Sequence, residues 1–122
     1  MNMPFGRQTA VQGIAPADAV SKVKNKEAII IDVRDINELM SSGKAKDALH
    51  IPLMMMQTRA DPRHPEFHPE LSTDSAVILY CASGARSGMA AQMLAAHGFN
   101  EIYNLGGLMH WHHGGGEIVA HA

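Results

Sequence analysis

This chain of 122 residues is short of several things, and each shortage excludes something. It has one cysteine, Cys81, so no intramolecular disulfide can form and no multi-cysteine zinc site can be built. It has no excess of charge: 10 Lys and Arg stand against 12 Asp and Glu, for a net charge of -2 without any basic block. No nucleic-acid partner is expected of such a surface. The longest apolar stretches, Ile51 to Met56 and Ala76 to Ala82, fall far below the roughly 20 residues needed to span a bilayer, so no membrane partner is expected either. Met1 to Gln8 lacks the apolar core of a secretory leader, which makes the cytoplasm the expected address. No internal repeat or low-complexity tract stands out.

What is there reads as one soluble globular domain. Apolar residues make up 46% of the chain and charged residues 18%, ordinary values for a folded protein. A domain over residues 11–118 is expected, with a flexible N-terminus at 1–10 and a C-terminal tail at 119–122.

Short β-rich runs alternate with helical segments, the pattern of an α/β protein. Val11 to Ile14 reads as a short edge strand. Pro16 suits the first turn of a helix with an apolar stripe of Ala19, Val20 and Val23. Ala28 to Asp32 has the β-branched character of a strand buried on both faces. Asp35 and Glu38 form a capping-box pattern ahead of a helix whose expected buried face is Ile36, Leu39 and Met40, with Gly43 to end it. Ala48 to Ile51 is a plausible strand closed by Pro52. A short helix over Met54 to Arg59 is expected to open the irregular stretch from Leu53 to Asp74. Asp61, Pro62, Pro65 and Pro69 then mark a long loop, and loops of that kind are often functional. Ala76 to Tyr80 is a second buried strand. The helix after it carries Met89, Ala90, Met93, Leu94 and His97 at helical spacing, with Gly98 as its cap. Glu101 to Leu105 is the last strand, and a short helix surrounds Trp111. The expected fold is α/β, a mainly parallel sheet of about five strands with helices on both faces and Cys81 at the carboxyl edge of a central strand.

The chemistry concentrates in Ala76-Val-Ile-Leu-Tyr-Cys81-Ala-Ser-Gly-Ala-Arg86-Ser87-Gly88. Ligands of open α/β sheets bind at the carboxyl ends of strands. Ala82, Ser83, Gly84 and Ala85 are small, so their backbone N–H groups can converge on one point at the start of a helix. That arrangement favours an anion. The anion can be the thiolate of Cys81 itself, whose pKa would fall below the free-thiol value of about 8.5. The thiolate is the nucleophile, so the loop would both generate and hold it. Arg86 can complete the ring of donors or pair with an anionic substrate.

Cys81-Ala82-Ser83-Gly84-Ala85-Arg86-Ser87 resembles the active-site loop of the rhodanese family. Ile31-Asp32-Val33-Arg34 is similar to that family's signature at the end of the second strand. Gly43 through Pro52 resembles the segment that usually reads Gly-His-Ile-x-Gly-Ala-x-x-Ile-Pro, and Asn104-Leu105-Gly106-Gly107 with Trp111 resembles the C-terminal signature. Lys44 and Ala45 replace the usual His-Ile, and Asp47 the usual Gly. Ala82 stands where many catalytic members carry a larger polar or basic residue. The resemblance implies a two-step sulfur transfer through a Cys81 persulfide, from a small sulfur donor such as thiosulfate or a persulfide to an external thiol, cyanide or an acceptor protein. It implies no metal and no organic cofactor. A related phosphatase and arsenate reductase family places five residues between its Cys and Arg. Here there are four, Ala82 to Ala85, a tighter pocket better suited to one sulfur atom than to a tetrahedral phosphate.

Blander readings stand beside these. A lone cysteine is usually an inert core residue, and Cys81 departs from that rule only through its loop. Asp32 and Arg34 are expected to brace the loop and sheet rather than do chemistry. His110, His112 and His113 are irregularly spaced and read as solvated or packing residues, not a metal site. Met54, Met55 and Met56, like Met89 and Met93, read as adaptable core filler. Arg59, Arg63, His64 and His68 are expected at the surface of the long loop. A non-catalytic binding module on the same scaffold is the alternative to an enzyme.

Overall fold

A computed structural model describes residues 9–121. The expected flexible N-terminus therefore lies almost wholly outside the described residues, as does Ala122. The elements are β1 (Val11–Gly13), α1 (Pro16–Lys24), β2 (Ile29–Asp32), α2 (Ile36–Ser42), β3 (Lys44–Ala45), β4 (Leu49–His50), α3 (Met56–Arg59), β5 (Ala76–Cys81), α4 (Ala85–Ala96), β6 (Glu101–Gly107), α5 (Leu108–His113) and β7 (Ile118–Val119). A 3-10 turn, Leu53–Met55, leads into α3.

Five strands form an all-parallel sheet in the order β1-β6-β5-β2-β4, so β5 is central. This is the α/β fold expected from the sequence. Its strands are short and mostly β-branched because both faces are covered, and each residue's face follows from the two-residue period. Ile31, Val77, Leu79, Cys81 and Ile102 pack with Ala90, Leu94 and Phe99 on the α3/α4 side. Ile30, Ile78, Tyr80 and Leu105 pack with Ala19, Leu108 and Trp111 on the α1/α5 side. Two neighbours on β5, Tyr80 and Cys81, therefore look into opposite cores.

Several local expectations change. Of the three residues expected to bury α2, only Leu39 does; Ile36 and Met40 are 45% and 67% exposed. The helix has seven residues and lies near the edge of the sheet, where a short element reaches the core with one side chain. On α4 the buried stripe is Ser87, Ala90, Ala91, Leu94 and Ala95, and Met89 is 54% exposed. Small residues on that stripe let the helix lie close to the sheet. Met54 and Met55 are likewise exposed, while Met56 is fully buried.

A small antiparallel pair, β3 with β7, was not foreseen; two-residue strands carry too little pattern to read. β7 runs past residue 118, across the expected start of the tail. In the long loop, His64 and His68 each accept a hydrogen bond through Nδ1 from the N–H two residues on, Glu66 at 3.0 Å and Glu70 at 3.1 Å. These twin His-Pro-Glu turns flank Phe67, which packs on Phe99.

Candidate active site

Cys81 is the last residue of β5, on the same face as Val77 and Leu79. The chain must then reverse into α4 within three residues. Gly84 makes that turn with φ +104, a conformation that costs a residue with a Cβ and costs glycine nothing comparable. Gly107 is needed for another reason: a Cβ there would collide with the Ala82 carbonyl. The loop and the end of β6 are therefore in direct backbone contact.

The turn aims donors at the sulfur. The Gly84 N–H lies 3.0 Å from Sγ and the Ser87 N–H 3.4 Å. The Ser87 hydroxyl is also 3.4 Å away. Burial pushes the Cys81 thiol up. The Ser87 hydroxyl and the N–H groups of Ser87, Gly84 and Ser83 outweigh it and bring the pKa down to about 7. The side chain is covered, with Cys81 1% exposed, while Ala82, Ser83 and Ala85 beside it are exposed. The sulfur thus sits beneath the loop with the amides turned toward it.

Ser87 is itself held. Its hydroxyl donates to Asn104 Oδ1 at 2.7 Å. Asn104 also accepts from the Gly106 N–H at 3.1 Å and donates through Nδ2 to the Gly84 carbonyl at 3.0 Å. A carbonyl can only accept and an N–H can only donate, so these partners settle which way the amide faces. Asn104 clasps the two ends of the loop. A register shift between Leu79 and Tyr80, with Leu105 as the extra residue on β6, lies next to it.

Arg86 goes elsewhere. Its guanidinium makes a two-pronged pair with Glu38 on α2, at 2.6 and 2.9 Å, and is not among the donors to Sγ. That pairing holds the Glu38 carboxyl down at about 2 and raises Arg86 above its ordinary value. Glu38 also accepts from the Asp35 N–H at 3.0 Å, so the expected capping interaction forms on the carboxylate that holds Arg86.

Asp32 and Arg34 sit on the other side of the sheet's carboxyl edge. Arg34 Nε and Nη2 donate to Asp32 at 2.8 to 3.1 Å, and the remaining Arg34 donors reach Ser42 Oγ and the Gly43 carbonyl. The Tyr80 hydroxyl donates to Asp32 and accepts from the Ala45 N–H at 2.9 Å. Burial, then the Asp32 carboxylate, pushes the Tyr80 phenol far up, so it stays protonated. His110 caps α5, accepting from the Gly107 N–H at 3.1 Å; His112 and His113 are exposed.

The structure thus brings Cys81, Ser83, Gly84 and Ser87 together, leaves Ala82 and Ala85 on the rim, turns Arg86 to Glu38, and gathers Asp32 and Arg34 in a separate network. Sequence reasoning missed Asn104 and Tyr80 as polar partners and read Glu38 as a helix cap alone. Asn104 stood only within a resemblance to a C-terminal signature. A cleft of about 340 Å³ elsewhere among the described residues is lined by Val20, Lys24, Lys46, Trp111 and Glu117, with no residue of the Cys81 loop.

Among known proteins, the profile of the family described as rhodanese-like domain matches residues 15–113. An uncharacterised Bacillus subtilis protein, YqhL, is 42% identical over 96 residues, covering 78% of this chain and 67% of its own. The Coxiella burnetii thiosulfate sulfurtransferase GlpE is 32% identical over 103 residues, covering 82% and 88%. A solved Rhodopseudomonas palustris protein of unknown function, described as a possible tyrosine phosphatase, superposes with a TM-score of 0.78 at 28% identity, covering 89% of this chain and 85% of its own.

Proposed function

Since the chain belongs to the rhodanese-like domain family, we propose that it is a sulfurtransferase that carries sulfane sulfur as a persulfide on Cys81. The observation that supports this most is the set of donors aimed at one sulfur atom, with a thiol brought down to about 7. At neutral pH a large share of Cys81 is then thiolate, the nucleophilic form.

In the first half-reaction the thiolate attacks the sulfane sulfur of a donor. A new S–S bond forms at Cys81, the donor's S–S bond breaks, and the electron pair leaves with the departing sulfite or thiolate. The loop amides then stabilise charge on the persulfide. In the second half-reaction an external nucleophile, a thiol or cyanide, takes that sulfur and regenerates the thiolate. Cys81 is the only cysteine, so no internal thiol can resolve the persulfide. The acceptor is a small thiol or the cysteine of a partner protein.

The test is direct. The protein is incubated with thiosulfate or a persulfide and weighed. A mass gain of a single sulfur atom, removed by cyanide and absent in Cys81→Ser, is expected. The initial rate of the gain should follow the thiolate: half-maximal near pH 7, close to its plateau about one unit above, and falling about tenfold per pH unit well below it. A chain that takes sulfur from no donor is a binding module instead. Turnover of an aryl phosphate, abolished by Cys81→Ser, would make it a phosphatase.

A further inference from the structure

The rim of the Cys81 loop has less positive charge than the sequence promises. Ala82, Ser83, Gly84 and Ala85 carry none. Arg86 is the loop's one cation, and both its prongs are on Glu38. The pair is about a third exposed on each side, so it lies at the mouth and not in the core. Asp35, the residue that precedes α2, adds to the negative field around Arg86. One positive charge therefore faces two negative ones. The Arg34–Asp32 pair behind β2 is closed on itself. Beside Arg86 the surface is apolar: Met89, three residues after it on α4 and so on the same helix face, is 54% exposed.

From this rim we infer that the sulfur donor is an organic persulfide with an uncharged group next to the sulfane sulfur, rather than thiosulfate, and that Glu38 sets the preference by holding Arg86. The inference rests on the sulfurtransferase reading and narrows it. Thiosulfate brings two negative charges toward a thiolate, and a free cation at the mouth would be needed to offset them. A hydropersulfide R–S–SH needs less. The Cys81 thiolate bonds to the outer sulfur, the S–S bond of the donor breaks, and RS⁻ leaves with the electron pair while the hydrogen stays on the transferred sulfur. The products are Cys81–S–SH and RS⁻, with charge conserved. The group R can lie against Met89.

Glu38→Gln is the informative change. The amide oxygen still accepts from the Asp35 N–H, so the helix cap survives, but the charge that neutralises Arg86 is gone. Single-turnover loading of Cys81 is followed by mass, using thiosulfate and the persulfide of 2-mercaptoethanol on the wild type, Glu38→Gln, and Glu38→Gln with Arg86→Met. The wild type is expected to load faster from the persulfide. Glu38→Gln should raise the thiosulfate-to-persulfide rate ratio about tenfold at low salt, with less gain at high salt, and Arg86→Met should cancel the gain. Wild-type loading from thiosulfate as fast as from the persulfide overturns this inference and leaves sulfur transfer standing. An unchanged ratio in folded Glu38→Gln does the same. Loading from neither donor overturns both. Should Glu38→Gln not fold, the wild-type comparison alone decides.

Discussion

Tyr80 and Cys81 are consecutive residues on one strand, and the two polar sites they anchor have opposite logic. On the Tyr80 side, the carboxylate of Asp32 is met by Arg34 and a phenol, and the donors of Arg34 are taken up by Asp32, Ser42 and Gly43. Charges balance and lone pairs are filled. A site so complete has no group left to act on a substrate, and its role is to lock β2, β5 and the turn at Gly43 together. On the Cys81 side, N–H groups and a hydroxyl face a thiol that is neutral half the time near pH 7. Donors wait for a charge that comes and goes. A buried polar cluster is structural when it is satisfied in one protonation state only, and chemical when it is built for two.

That contrast can be broken by experiment. The largest stability effect is expected for Asp32→Ala, which strands the buried Arg34 charge: about 3–5 kcal/mol, read from urea unfolding. Tyr80→Phe removes a hydroxyl bonded to Asp32 and Ala45 and should cost about 1–3 kcal/mol. In Tyr80→Phe the Cys81 titration, followed by ultraviolet absorbance of the thiolate, should stay at about 7. A shifted titration there would mean that the two sites are coupled, and the contrast would fail. Ser87→Ala should do the reverse, raising the Cys81 pKa from about 7 toward the ordinary thiol value of about 8.5 with a modest loss of stability. The sign follows from the direction of the shift. A thiol lowered on folding has its thiolate stabilised above the folded value, so weakening the cradle moves the rise in absorbance to higher pH. Asn104→Ala should cost about 1 kcal/mol in urea unfolding, since it removes the acceptor of the Ser87 hydroxyl and the donor to the Gly84 carbonyl.

The sequence reading went furthest where patterns are local. Ile29 to Asp32 and Ala76 to Cys81 are continuous apolar runs, and such runs become central parallel strands because nothing else buries both their faces. Of the loop Ala82 to Ala85, whose amides were expected to converge, Gly84 donates to the sulfur, joined by the N–H of Ser87 beyond it. The reading failed where burial depends on the neighbour. Met89 is as apolar as Leu94, yet α4 turns its alanine stripe inward because only small side chains let the helix lie against β5 and β6. Ile36 and Met40 point outward because α2 sits at the margin of the sheet.

What the sequence by itself determined is the run of secondary structure, the parallel sheet, and the placing of a single cysteine at a strand end in a loop of small residues. Those follow from propensities and periodicities that act over a few residues. Only the tertiary structure decided who partners whom. Glu38 and Arg86 are 48 positions apart, and so are Asp32 and Tyr80. Asn104 reaches Ser87 across 17. No local rule links such residues; the parallel pairing of β2, β5 and β6 brings their carboxyl ends side by side, and hydrogen-bond geometry does the rest.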